Sequence, residues 1–299
     1  MTLILKAINL VDSNYNLIYS SYKDLLTTNE KYKLSQFAFQ NDKFTFITGR
    51  ILIRLSVYHI LKSKNLIPSE YSNNFKDILE FCNKQAHFLY NSYGKPEFSL
   101  EFVEKFGKIH FNISHQWPWV VVGIDTESRI GVDVAFVHTS NMVQLKQLIE
   151  ELEYQFSKSE IDHLANLVQS DDMETALAVL NCIWTAKEAV SKLLGLGISI
   201  EYSNLVVDIT DPLSSYTNVT NHVTKEHWCV NMVHIDKEFL VSIASENKLF
   251  QNPENYDTNM FNVVFDHCKE NGHNERKNNK NKYNNIHVVT WSSLERENN

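Results

Sequence analysis

Short-spaced cysteine pairs are missing from this chain. Its four cysteines, Cys82, Cys182, Cys229 and Cys268, stand far apart, which excludes a zinc knuckle or a Cys-x-x-Cys redox centre. They read as reduced thiols, and a cytosolic compartment is expected. An excess of basic charge is also missing: the formal net charge is -8, which argues against a broad nucleic-acid surface but leaves room for a local basic pocket. No run reaches the roughly 18 uncharged apolar residues of a membrane span. The start, Met1-Thr2-Leu3-Ile4-Leu5-Lys6, lacks the basic and long apolar regions of a signal peptide. Glycine and proline are scarce, at 8 and 5 residues. With the richness in Asn, Lys, Ile, Tyr and Phe, this reflects coding composition and excludes no function.

What is present is ordinary globular material. A hydrophobic fraction of 43% and a charged fraction of 21% over 299 residues suffice for one large or two modest domains with their own cores. Leu3 to Leu10 reads as a first strand, and Lys23 to Phe39 as irregular helix. Phe44, Ile47, Ile51, Leu55 and Tyr58 recur at helical spacing and predict a helix over 42–64. Arg50 and Arg54 lie one turn apart on it. His110 to Ser114, Trp119 to Ile124 and Ile130 to Val134 read as strands. Helices are expected over 140–155, after the capping box Ser157-Lys158-Ser159-Glu160, and over 177–194, with Gly195 and Gly197 as stops. His227 to Ile235 and Phe239 to Ala244 predict a hairpin around Asp236-Lys237. Each half repeats a strand, long helices and paired strands. The expected division is 1–125, 126–247 and an Asn/Lys-rich, disordered tail over 248–299.

Several residues carry chemical interest, each with an equally plain structural reading. Asp133 is a lone carboxylate in an apolar strand, costly to bury without a cation or donors, yet able to meet water at a strand end. Glu188 and Lys192 share a helix face, as a functional pair or as a surface ion pair. Ser114-His115-Gln116 follows a strand and suits anion binding, or forms an ordinary turn. Lys95 sits on the turn Gly94-Lys95-Pro96.

Their joint order is more specific. Gly94-Lys95-Pro96, Phe111-Asn112-Ile113-Ser114-His115, Ile130-Gly131-Val132-Asp133, Phe156-Ser157-Lys158-Ser159-Glu160 and Trp184-Thr185-Ala186-Lys187-Glu188-Ala189-Val190-Ser191-Lys192 resemble the 4'-phosphopantetheinyl transferases over roughly residues 1–245. The closest likeness is to the large monomeric type that activates peptide, polyketide, fatty-acid and aminoadipate-reducing systems. The resemblance implies an α+β fold of two pseudo-symmetric α/β subdomains, with the metal and coenzyme A site at their interface. It implies transfer of phosphopantetheine from coenzyme A to a serine of an apo carrier protein. Asp133 and Glu188 match the magnesium carboxylates, and Lys192 matches the lysine near the reacting phosphate. Arg50, Lys95, Ser114 and His115 match groups at the nucleotide end, with Asn112 beside them. Glu188 is the candidate base, and Glu160 matches a further acid near the metal. The resemblance also implies a monomer that binds neither nucleic acid nor membrane.

Three departures stand out. Ala135 occupies the place of a second strand acid, so Gln116 is the expected third magnesium ligand, as in animal-type members. Trp117-Pro118-Trp119 replaces smaller residues. Tyr90 and Asn91 stand where a basic residue is expected, leaving Lys31 or Arg54 to supply that charge. Two other functions compete: a catalytically weak relative that binds coenzyme A or carriers, and a metal-dependent phosphohydrolase.

Overall fold

A computed structural model describes residues 3–11, 19–20, 22–68, 71, 75–210, 214–236, 238–246 and 262–264. The chain forms two compact units: residues 1–89, 97–127 and 257–299 in the first, and 90–96 and 128–256 in the second. The mixed helices and sheets agree with the expected α+β class.

In the first unit, β1 (Leu3–Asn9) pairs antiparallel with β5 (Trp119–Asp125), and β5 pairs with β4 (His110–Gln116). The continuous apolar run of β5 is buried along its whole length, as expected for a strand covered on both faces. The long helix α2 (Gln40–Ser63) packs on β4 and β5 through the predicted stripe, with Ile47, Ile51, Leu55 and Tyr58 all buried. By length and composition α2 is apolar enough to cross a membrane, but its apolar window is 89% buried within the protein. Gly49 faces the sheet, where a Cβ would meet Ile113 Cγ2 at 3.4 Å, an ordinary contact distance. The irregular stretch expected over 23–39 resolves into a 3-10 turn, Lys23–Leu25, and α1 (Thr28–Gln36), capped by Thr27. Helices α3 (Phe75–Gln85) and α4 (Leu100–Phe106) complete the unit, with Phe98, Phe102, Phe106 and Phe111 clustered in its core. Trp119 is fully buried and Trp117 packs against the same core. Within the stretch expected to be a tail, β11 (Asn262–Val264) lies parallel to β1. The other tail residues lie outside those described.

In the second unit the sheet order is β6-β10-β9-β8-β7, with every pair antiparallel. The strands are β6 (Ile130–Ala135), β7 (Leu205–Val207), β8 (Tyr216–Asn221), β9 (His227–His234) and β10 (Leu240–Ser245). The predicted hairpin is β9–β10, although Lys237 lies outside the described residues. Helices α5 (Met142–Glu151) and α6 (Lys158–Gln169) lead to α7 (Met173–Leu194). The latter starts four residues earlier than its apolar pattern implies, because Asp172 caps it by accepting from the Thr175 N–H. It stops at Gly195, whose φ of 69° is left-handed, a conformation that glycine adopts without strain. Helix α7 packs on β6 and β10.

Candidate active site

The second unit assembles an acidic cluster from two elements. Along β6, alternate side chains face opposite ways. Gly131 faces α7 so closely that a Cβ there would sit 2.0 Å from Ala189 O and 2.3 Å from Leu193 N. Asp133, two residues on, shares that face. It reaches Lys192, whose Nζ stands 2.5 Å from Asp133 Oδ1. Glu188 lies one turn before Lys192. Burial, and then the neighbouring Asp133 charge, push the Glu188 carboxyl above its ordinary value, while Lys192 and a hydrogen bond from Tyr202 oppose them. These three groups alone carry two negative charges and one positive. The two acids and their surplus charge suit one hard cation that takes its other ligands from elsewhere, as magnesium commonly does. Among the described residues, no group of three or more His, Cys, Asp or Glu is arranged to hold a metal. Asp133 and Glu188 thus stand as a pair of acids and not as part of a set of three.

Lys187, the neighbour of Glu188 on α7, points into the interior. Its ammonium donates to Glu160 Oε2 at 2.6 Å, to Gln155 O at 2.9 Å and to Tyr202 O at 3.0 Å. Glu160 is equally committed. The Ser157 N–H donates to Oε2 at 2.7 Å, closing the predicted capping box, and the Val207 N–H donates to Oε1 at 2.8 Å. Both side chains are wholly buried. Both Glu160 oxygens are therefore occupied, and Glu160 serves as the counter-ion of Lys187.

Lys95 also has a partner within the second unit. Its Nζ donates to Leu193 O at 3.0 Å, at the C-terminal end of α7, where a cation meets the unpaired carbonyls and the negative end of the helix dipole. Asn91 secures the same turn: its Oδ1 accepts the Tyr93 and Lys95 N–H groups, and its amide donates to Gly195 O at 3.0 Å. The turn that was expected to meet nucleotide thus grips α7.

The remaining expected groups belong to the first unit. Asn112 and Ser114 are buried, Gln116 is half-buried and His115 is exposed. Asn112, Ser114 and Gln116 alternate onto one face of β4, which puts His115 on the other. Arg50 is buried between two rings, its Cζ 5.0 Å from the centroids of both Phe46 and Phe88. Its Nε lies 3.6 Å from Glu30. Arg54 is not available as a replacement nucleotide cation, because it grips Glu30 with Nη2 at 2.9 and 2.7 Å from the two carboxylate oxygens. Burial alone would push the Glu30 carboxyl up. The charge and hydrogen bonds of Arg54, the Thr27 N–H and Arg50 outweigh it and hold Glu30 below the ordinary 4.5. Lys33 lies near enough to Arg50 that burial, and then that guanidinium, push its ammonium down.

Residues 122–244, which include Asp133, Glu188 and Lys192, match the 4'-phosphopantetheinyl transferase superfamily. The chain is 22% identical over 223 residues to the L-aminoadipate-semialdehyde dehydrogenase-phosphopantetheinyl transferase of Mus musculus, covering 72% of this chain and 65% of that one. It is 26% identical over 208 residues to a putative 4'-phosphopantetheinyl transferase of Synechocystis, covering 69% and 71%. A 4'-phosphopantetheinyl transferase of Aneurinibacillus migulanus is 28% identical over 131 residues, covering 44% and 47%. The chain thus spans just under two thirds of the mouse relative.

Two polar residues of interest escaped sequence reasoning. Glu30 looks like any capping-box acid, and only the fold brings Arg54 to it from 24 positions away. Tyr202 lies in a short 3-10 turn with no periodic signal around it.

Proposed function

We propose that the chain transfers 4'-phosphopantetheine from coenzyme A to a serine hydroxyl of an apo carrier protein, releasing adenosine 3',5'-bisphosphate. The observation that carries this reading is the convergence of Asp133 from β6 with Glu188 and Lys192 from α7, in a cluster of surplus negative charge. Asp133 and Glu188 would hold magnesium, with the Gln116 amide as a third ligand. Bound there, magnesium would neutralise charge on the pyrophosphate of coenzyme A. Glu188 accepts the serine proton as the serine oxygen bonds to the phosphorus that bears the pantetheine arm. The bond from that phosphorus to the oxygen of the departing bisphosphate breaks. Lys192 offers its ammonium to the non-bridging oxygens, where charge accumulates. Arg50, Asn112, Ser114 and His115 would hold the nucleotide end, so the reading asks both halves of the chain to serve one coenzyme A, at the interface site of two pseudo-symmetric subdomains. A cytosolic monomer acting on carriers of fatty-acid, polyketide or lysine metabolism completes it.

The test is to mix the protein with coenzyme A, magnesium and a panel of apo carriers, and to weigh the carriers. A gain of one phosphopantetheine on the serine is expected. It should vanish in Asp133→Ala and Glu188→Ala, with the thermal midpoint little changed. A second reading, a catalytically weak relative that binds coenzyme A or carriers, is favoured by the commitment of Lys95 to the end of α7. Binding of coenzyme A without any mass gain on the carriers would decide for it.

A further inference from the structure

We infer that Tyr202 is a positioning residue for Glu188, its hydroxyl holding that carboxylate in one orientation beside Asp133 and Lys192. The inference rests on the transferase reading above and assigns a new part within the same site.

Four contacts fix Tyr202. Its ring lies over Trp184, with centroids 6.3 Å apart and planes 21° from parallel. Its carbonyl accepts the buried Lys187 ammonium at 3.0 Å. Its hydroxyl meets both Ser191 and Glu188. The residue is only 8% exposed. The backbone anchor ties it to the wholly buried Lys187–Glu160 ion pair, so the hydroxyl reaches Glu188 from a segment fixed in the interior.

Proton counting decides how the hydroxyl is used. An ionised carboxylate only accepts, so the single Tyr202 proton must be donated if a bond to Glu188 is to form. Ser191 also has one proton, and its Oγ lies 3.0 Å from Gly197 O. When Ser191 donates to Gly197, Tyr202 is drawn to donate to Ser191. When Ser191 donates to Tyr202, the tyrosine proton turns to Glu188. Ser191 donates to Gly197 O, so Ser191 and Glu188 compete for the Tyr202 proton, and the charged carboxylate is the stronger acceptor.

Glu188 needs such a hold. It shares a half-buried space with the Asp133 carboxylate, and Lys192 sits 2.5 Å from Asp133. Two like charges that share a site push each other out of any fixed geometry unless donors pin them. A hydroxyl bound to one Glu188 oxygen leaves the other for a cation or for the serine proton.

The experiment uses Tyr202→Phe, which retains the ring stack and the backbone carbonyl. The thermal midpoint, the direct binding of Mn2+ to protein free of coenzyme A by calorimetry, and transfer to an apo carrier are measured. Positioning predicts a midpoint within a few degrees of the unsubstituted protein, Mn2+ bound several-fold more weakly, kcat lower by about tenfold and KM for coenzyme A within about twofold. Ser191→Ala, which removes the competing acceptor, should leave Mn2+ affinity and kcat no lower than in the unsubstituted protein. If Tyr202→Phe leaves Mn2+ affinity and kcat unchanged, the inference is overturned. It is also overturned if both fall only together with a large drop in midpoint, or if the unsubstituted protein binds no Mn2+. Absence of transfer by the unsubstituted protein, with Mn2+ binding that still depends on Tyr202, would instead refute the transferase reading and leave the positioning role standing.

Discussion

In the first unit, Glu30 closes the capping box of α1 and extends its carboxylate to Arg54 on α2. In the second, Glu160 closes the capping box of α6 and extends its carboxylate to Lys187 on α7. The construction is the same, a short helix locked to a long one by a buried ion pair, but the charge arithmetic differs. Glu160 meets one ammonium and the pair is neutral. Glu30 meets two guanidiniums, with Arg50 at 3.6 Å beyond Arg54, so that group of three sums to one positive charge. The group formed by Asp133, Glu188 and Lys192 sums to one negative charge. The two groups of three thus differ in the sign of their summed charge.

The glycines at the helix–sheet contacts differ in the same way. Gly131 faces backbone atoms at 2.0 and 2.3 Å, whereas Gly49 faces side-chain methyls at 3.4 Å or more. The largest expected effect is therefore that of Gly131→Ala: an added methyl has no room against backbone, and denaturant unfolding should register a loss of about 3 kcal/mol or more. Equal stability of this variant would mean that β6 and α7 do not touch as described.

Breaking the ion pairs comes next. Lys187→Met strands a fully buried carboxylate and should cost about 3–5 kcal/mol. Arg54→Met leaves Glu30 with Arg50 and should cost less, about 2 kcal/mol. Reversal of that order in urea titrations would refute the charge arithmetic.

A smaller effect lies in acid. Because the Glu30 carboxyl is held below the ordinary 4.5, its contribution is complete above that value and fades as pH falls through its lowered one. Glu30→Gln should be less stable at neutral pH and lose less stability between neutrality and acid than the unsubstituted protein, as read from unfolding midpoints at a series of pH values. Parallel curves would show that Glu30 is not the group responsible. The smallest effect is expected of Gly49→Ala, whose methyl finds ordinary contact distance inside a helix. Stability should change by less than about 1 kcal/mol, on the favourable side.

The long, strongly periodic elements were readable in advance. Helices α2 and α7, strands β5 and β6 and the Ser157 capping box appear where apolar spacing and capping chemistry put them, because each depends on residues a few positions apart. Strands β7 and β8 and helices α3 and α4 were not read: β7 is three residues long and α4 seven, too short for periodicity to speak. The alliances of charged side chains were hidden for another reason. Lys95 finds Leu193 across 98 positions and Lys187 finds Glu160 across 27, and no local pattern encodes such pairings. That is why Lys95 and Glu160, sound by motif, turned out to be engaged in holding α7.

One feature of the first unit bears on how the protein is made. Strand β11 lies alongside β1, with Ile4 opposite Asn262 and Lys6 opposite Val264. On a ribosome adding about 5–20 residues per second, β1 emerges long before β11 and waits many seconds for this neighbour. Until then the edge of β1 that β11 will cover can pair with any strand that comes by, including that of another nascent copy. A chain halted before residue 262 would carry that open edge permanently, and its yield in the soluble fraction would suffer even if every group around Asp133 were in place.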